Sequence, residues 1–258
     1  MKNEVVNSVS VIIPTFNRLN KVKRAIESAI SQSHKPLEVI VIDDGSDANM
    51  KHELKPYLSS NGIALIELEH SGNPGYLRKV GIGAAKGEWV AFLDDDDYWH
   101  PEKLAVQLRI AQSTNVSFIS TLSGSILSRD QLFSLGNEVF KQISRRSMLR
   151  QNLVTNSSVL VRKSLLQRVG GYADSELVIG AEDYATWLRL LDETSLIMVL
   201  ENLTFYDQSS PSDQLSKKYS NRYIQNVGIF DYVDWAQNNS NRKFTFFRVL
   251  LKFARLSI

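Results

Sequence analysis

A run of four aspartates, Asp94 to Asp97, follows directly on an apolar stretch, Trp89-Val90-Ala91-Phe92-Leu93. The stretch has the length and the aromatic and β-branched content of a buried strand, with Gly87 before it and acids behind it. Four like charges cannot share a core, because an unpaired buried carboxylate is costly. The chain therefore leaves the core at Asp94 and sets an acidic cluster at the C-terminal end of a strand. In open α/β sheets that edge is where ligands bind. Packed carboxylates repel unless a cation lies between them, and Mg2+ or Mn2+ prefer oxygen ligands. A solvated acidic turn is the competing reading, and the apolar stretch in front argues against it.

The same alternation recurs upstream. Val9 to Ile13 is a continuous β-branched run closed by Pro14, and Leu37 to Ile42 is a second buried run ending in Asp43-Asp44-Gly45-Ser46. Between them Val22, Ala25, Ile26, Ala29 and Ile30 share one helical face, with Asn17 or Asn20 as a cap. A second helix is expected from Met50 to Leu58, a strand from Ala64 to Leu68, and a helix through Leu77, Val80 and Ala84. Pro101 suits the first turn of a further helix carrying Leu104, Leu108 and Ala111. Strands alternating with helices imply βαβ units with right-handed crossovers. The expected fold class is α/β, with a Rossmann-like, mostly parallel sheet over roughly residues 8–115.

The second half is less regular. Ser157 to Val161 reads as a strand, Lys163 to Val169 as a short helix, Gly170-Gly171 as a turn, Tyr184 to Leu191 as a helix and Ile197 to Leu200 as a strand. From Asn241 to Ile258 there are basic residues and no acids. On a helix Arg248, Lys252 and Arg255 fall on one narrow face, opposite a wide aromatic and aliphatic one. That pattern describes a helix lying at the surface of an anionic membrane. Packing on the domain or in a homo-oligomer is the alternative.

The totals set limits. The 258 residues allow one large domain, and 43% hydrophobic with 22% charged residues is ordinary for a soluble protein. A net charge of +2 does not imply nucleic acid, and the absence of cysteine excludes disulfides, Cys-zinc sites and thiol nucleophiles from this chain. It also suits a cytosolic protein. The four histidines, His34, His52, His70 and His100, have no metal-ligand spacing. The apolar run before Pro14 is too short for a signal sequence, and no run of about eighteen apolar residues is present to span a bilayer.

Three loops, Pro14-Thr15-Phe16-Asn17, Asp43-Asp44-Gly45-Ser46 and Asp94 to Asp97, leave the C-terminal ends of three expected strands and should cluster at one sheet edge. Phe16 can stack on a nucleobase and Asp44 can accept from an imide N–H. Asp95 or Asp96 with a metal can hold a diphosphate, and Arg78 can add positive charge to it.

These stretches carry a family resemblance. Val9-Ser10-Val11-Ile12-Ile13-Pro14-Thr15-Phe16-Asn17-Arg18, Val41-Ile42-Asp43-Asp44-Gly45-Ser46, Gly87 to Asp97, Pro101-Glu102-Lys103-Leu104, Gly170-Gly171-Tyr172-Ala173-Asp174 and Glu182-Asp183-Tyr184 with Trp187-Leu188-Arg189-Leu190 stand in family order. Over about residues 8–207 the sequence resembles a family 2 glycosyltransferase of the A-type fold, in the branch that builds bacterial surface polysaccharides. The resemblance implies a UDP-sugar donor, Mn2+ or Mg2+ on the Asp-x-Asp element, and an inverting transfer to a lipid-linked sugar. Galactose or glucose is the expected donor sugar, and GlcNAc on a polyprenyl diphosphate the expected acceptor. It also implies a peripheral place on the cytoplasmic face of the membrane.

On that resemblance Pro14, Thr15, Phe16, Asn17, Asp44, Arg78, Asp94 and Asp95 hold the donor, Asp96 and Asp94 the metal, and Asp183 beside Glu182 supplies the base. Residues 1–115 become the donor half, 116–240 the acceptor half and 241–258 a cationic amphipathic segment. Asn156-Ser157-Ser158 is expected near the acceptor. Two departures stand out: Leu77-Arg78-Lys79 replaces an Ala-Arg-Asn triplet, and Phe205-Tyr206-Asp207-Gln208-Ser209 lacks a metal-site histidine for which Asp207 or water can substitute.

Three alternatives fit less well. A dehalogenase-type phosphatase with Asp94 and Asp96 would want a small β-branched residue where Tyr98 stands. A dinucleotide oxidoreductase would need glycines after the first strand, whereas Gly81-x-Gly83 lies in a helical pattern suited to close packing on the sheet. A non-catalytic nucleotide-sugar binder shares the donor residues but has no need of Asp183 as a base.

Overall fold

A computed structural model describes residues 7–125, 139–206 and 219–239. The first half alternates as its periodicity requires: β1 (Val9–Thr15), α1 (Leu19–Ile30), β2 (Glu38–Asp43), α2 (Ala48–Ser60), β3 (Ala64–Glu67), α3 (Pro74–Ala84) and β4 (Trp89–Phe92). Then come β5 (Asp97–Trp99), α4 (Lys103–Thr114), β6 (Phe118–Ser125), β7 (Phe140–Ile143), α5 (Arg145–Met148), β8 (Leu160–Arg162) and α6 (Lys163–Arg168). The described chain closes with α7 (Glu182–Glu193), β9 (Leu196–Tyr206) and α8 (Asn221–Asn239).

The described strands form one sheet in the order β3-β2-β1-β4-β8-β6-β9-β5, with β7 also paired to β9. β3, β2, β1 and β4 are parallel neighbours. β8 pairs antiparallel with β4 on one side and with β6 on the other. The second half of the chain therefore extends the same sheet.

Successive side chains in β1 serve opposite faces, as strand geometry demands. Val9, Val11 and Ile13 pack with Val22, Ala25 and Ile26 of α1 and with Leu54 of α2. Ile12 packs on the other face with Leu77 and Ile82 of α3 and with Trp187 of α7. Gly81 has the role its pattern suggested: a Cβ there would meet Cγ2 of Ile12 at 2.6 Å, so α3 lies hard against β1.

Several expectations change in detail. Neither Asn17 nor Asn20 caps α1; Arg18 stands at the cap without a side-chain bond, and Asn17 takes a left-handed φ of 53°. Asp97 opens β5 and pairs in register with Tyr206 of β9. β6, β7 and α8 were not legible, because their apolar residues do not form a clean stripe of either period. The expected amphipathic helix with Arg248, Lys252 and Arg255 lies outside the described residues, as does Asp207. No helix among the described residues is long and apolar enough to cross a membrane.

Parallel pairing of β2, β1 and β4 brings their C-terminal ends to one edge. Thr15 stands opposite Asp43 in the ladder, the Asp44 amide donates to the Thr15 carbonyl at 2.9 Å, and the Leu93 amide donates to the Ile12 carbonyl at 3.0 Å. The three expected loops are neighbours.

Candidate active site

The four aspartates have four different surroundings. Asp95 is 5% exposed; its Oδ2 accepts from the Thr15 hydroxyl at 2.8 Å and its Oδ1 from Arg18 at 3.0 Å. Burial pushes its carboxyl up to about 6, against the pull of Arg18. Asp96 shares the same guanidinium at 3.2 Å, and burial followed by the charge of Asp94 raises it as well. Asp94 Oδ1 accepts from Arg78 and from Asn156, each at 2.7 Å, while its amide donates to the Ser157 hydroxyl at 3.0 Å. Asp97, buried as the first residue of β5, is pushed well above the ordinary range by burial and then by Asp94, with the Ser157 hydroxyl opposing.

Arg78 links this cluster to the second half. Its Nη2 donates to Asp94 at 2.7 Å, its Nη1 to Glu182 Oε1 at 3.1 Å, and its guanidinium lies 5.2 Å from the Tyr172 ring centre. Burial opposes its charge, but Tyr172, Asp94 and Glu182 together hold it well above its ordinary value. It is a fixed cation at the centre of the site. The sequence assigned Arg78 to a diphosphate; both terminal nitrogens instead hold carboxylates. Tyr172 completes the ring by donating its hydroxyl to Asn156 Oδ1 at 2.8 Å.

At the start of α7 the two acids part ways. Glu182 accepts from Arg78 and, through Oε2, from the Gly180 amide at 2.6 Å. Asp183 accepts from the following amide, Tyr184, at 2.5 Å, and takes a long contact of 3.4 Å from Asn152 Nδ2. Burial, reinforced by Glu182 and opposed by Arg78, raises the Asp183 carboxyl to about 7. A carboxylate poised near neutrality has the proton affinity a general base needs.

At the end of β2, Asp44 is buried and organises its neighbours. Its Oδ1 accepts from the Ser71 amide and hydroxyl, both at 2.8 Å, and its Oδ2 from the Gly72 amide at 3.0 Å. A carboxylate has about four acceptor sites, so most are used within the chain. The loop it holds lays the His70 ring on Phe16, with centroids 4.2 Å apart at 21°. Gly45 permits this approach, since a Cβ there would stand 2.7 Å from the His70 nitrogen. Asn17 ties the loops together, its amide donating to Ser46 Oγ at 2.9 Å and its Oδ1 accepting from the Asp47 amide at 2.8 Å. Pro14 is buried in β1 and Phe16 stands 39% exposed at its end.

Sequence reasoning gave no role to Arg18, His70 or Asn152, and placed Asn156 and Ser157 with the acceptor. Arg18 directly follows the Pro14-Thr15-Phe16-Asn17 loop, but only the fold shows that it answers Asp95 and Asp96. An oxygen-only donor set in a field that still raises the Asp96 carboxyl has the chemistry of a hard divalent cation. Among the described residues no group of three acids or histidines forms a closed metal site. Asp94 and Asp96 offer carboxylate oxygens of the kind such a cation takes.

Comparison with known proteins agrees with this architecture. Residues 10–170 match the family described as Glycosyl transferase family 2. A curated Escherichia coli relative, the UDP-Glc:alpha-D-GlcNAc-diphosphoundecaprenol beta-1,3-glucosyltransferase WfaP, is 30% identical over 72% of this chain and 70% of its own. An uncharacterized glycosyltransferase of Rickettsia bellii is 27% identical over 97% of this chain, which spans 34% of that protein's length. Two further Rickettsia relatives are likewise matched over 31% and 42% of their length. The structure of S. aureus TarS 1-349 in complex with UDP-GlcNAc superposes with a TM-score of 0.75 at 19% identity, covering 96% of this chain and 71% of that one. The fold is the A-type fold of that glycosyltransferase.

Proposed function

We propose, from the premise that this chain belongs to glycosyl transferase family 2, that it moves a hexosyl group from a UDP-sugar to a hydroxyl of a lipid-linked sugar during surface-polysaccharide synthesis. One observation carries the reading. Asp183, raised to about 7, is the second residue of α7, and Glu182, the residue before it, is joined through Arg78 to the Asp-x-Asp loop. The proposed base is thus next in sequence to a residue tied through Arg78 to the proposed diphosphate site.

The chemistry follows from that arrangement. Asp183 takes the proton of the acceptor hydroxyl as its oxygen forms a bond to the anomeric carbon. The bond from that carbon to the UDP oxygen breaks on the opposite face, so the configuration inverts, and the electron pair leaves with UDP. A divalent ion held by Asp94 and Asp96 supplies positive charge for the diphosphate when bound. Arg78, already neutralised by two carboxylates, fixes Asp94 and Glu182. Phe16 with His70 offers an aromatic surface for the base.

Glucose or galactose is the proposed sugar and GlcNAc on a polyprenyl diphosphate the proposed acceptor; the name of the Escherichia coli relative supports the glucose and the diphosphate-linked GlcNAc. Access to such a lipid calls for a peripheral position on the cytoplasmic face of the membrane. The test is a screen of UDP-sugars against a GlcNAc-diphosphate-lipid analogue, with Mn2+ and with chelator, run in parallel on wild type and Asp183→Asn. Product from wild type alone, with donor affinity equal in both, supports the reading. Wild-type turnover by Asp183→Asn removes Asp183 as the base.

A further inference from the structure

The segment that contacts Asp183 also carries two arginines with no evident counter-charge. α5 runs on through a helical turn, the Arg150 amide donating to the Ser147 carbonyl at 3.1 Å and the Gln151 amide to the Ser147 and Met148 carbonyls. Arg146 and Arg150 are therefore four residues apart on one side of that turn, and both are exposed. Neither makes an ion pair or a side-chain hydrogen bond among the described residues. Arg145 differs from both: it is partly buried and bound to Asp192 and to the Tyr232 hydroxyl. Like charges four apart on a helix repel, and among the described residues no acid answers this pair, so an anion would suit it.

The position of this pair is fixed from two sides. Gln225 of α8 donates to the carbonyls of Leu149 and Arg150, at 3.0 and 2.5 Å, and holds the backbone there. Two residues beyond Arg150, Asn152 reaches Asp183. Two residues span at most about 7 Å of backbone, and beyond that span stand only the Asn152 side chain and its 3.4 Å contact with Asp183, a gap that an extended arginine and one sugar together can bridge. α8 is itself seated on α7, because Gly228 lets Tyr184 close to within 2.5 Å of where a Cβ would stand.

We infer that Arg146 and Arg150 form a binding site for the diphosphate of the acceptor, one sugar away from the hydroxyl that Asp183 deprotonates. The inference rests on the proposed lipid-linked acceptor and adds the site that recognises its anionic linkage. Guanidinium groups suit it, since each offers a planar fork of donors to phosphate oxygens.

The experiment compares two acceptors on the full chain: a GlcNAc-diphosphate-lipid analogue and an alkyl GlcNAc glycoside of similar chain length without phosphate. Arg146→Gln, Arg150→Gln and the double variant change exposed side chains, and matched circular dichroism and melting curves check that they fold. The expected result is a rise of about tenfold or more in KM for the diphosphate acceptor in the double variant. kcat, the KM for the glycoside and UDP-sugar affinity stay within about twofold. An equal loss on both acceptors, or no loss on either, overturns the inference. Co-sedimentation with anionic vesicles lacking acceptor tests the other source of phosphate. If the variants lose vesicle binding without distinguishing the acceptors, lipid headgroups occupy the pair and the proposed site is wrong. A wild type that uses neither acceptor, or uses both equally, counts instead against the lipid-diphosphate reading of the function.

Discussion

At the end of β4 each carboxylate has an answering group: Arg18 for Asp95 and Asp96, Arg78 for Asp94, and the Ser157 hydroxyl for Asp97. At the start of α7, Glu182 is answered by Arg78 and the Gly180 amide, while Asp183 has the next amide and a long contact from Asn152. Both regions bury acids in a low-dielectric setting, where an unpaired charge is expensive. The difference lies in how much of that cost the fold offsets. In the β4 loop Asp94, Asp95 and Asp96 are each bonded to a guanidinium, with Arg78 as the tie between regions. Asp183 keeps a proton affinity that its neighbours do not quench, which suits a group that must gain and lose a proton.

The sharpest way to break this contrast is Asp183→Asn. It keeps the shape and removes the base, so kcat should fall by about 100-fold to 10,000-fold with donor affinity unchanged; single-turnover assays beside UDP-sugar titration measure both. Next in size is Arg78→Met, which strips the shared cation from Asp94 and Glu182. Breaking a buried pair typically costs about 3–5 kcal/mol, and urea unfolding should show a loss of that order together with a collapse of activity. If the variant is as stable as wild type, the two acids do not depend on Arg78.

The pH behaviour sharpens the same contrast. As a base near 7, Asp183 should give kcat/KM an acid limb with a midpoint close to that value. Its stability effect runs the other way. A carboxyl raised from 3.8 to about 7 favours the folded state fully below about pH 4, and that contribution is lost as pH rises through 7. Asp183→Asn should therefore melt progressively higher than wild type as pH rises from about 4 to about 7 and level off above that; a constant offset would contradict the raised carboxyl. The smallest effect is expected from Thr15→Val. It removes one hydrogen bond to Asp95 at a cost of about 1–2 kcal/mol and should raise the Asp95 carboxyl further above 6, read by carboxyl chemical shifts against pH.

Much of the donor side was legible because its signals are local. Strand runs, the acids that end them and the helical stripe of Val22, Ala25 and Ile26 lie within a few residues of one another, and the parallel order of β1, β2 and β4 follows from them. The acceptor side was not. β6 turns polar midway through Phe118–Ser125 yet is a full strand, because β8 and β9 pair on either side of it. On the donor side too, the groups that engage the Asp44 oxygens are distant in sequence: Ser71 and Gly72 follow it by 27 and 28 residues.

By itself the sequence determined the α/β layer, the edge at which its loops meet and the family to which it belongs, because period and motif are properties of neighbouring residues. The tertiary structure alone decided which charges answer each other. Arg78 and Glu182 are 104 positions apart, and Arg18 and Asp95 are 77. A carboxylate's proton affinity depends on the dielectric and the charges around it in space, so the difference between Asp95 and Asp183 has no counterpart in the order of residues.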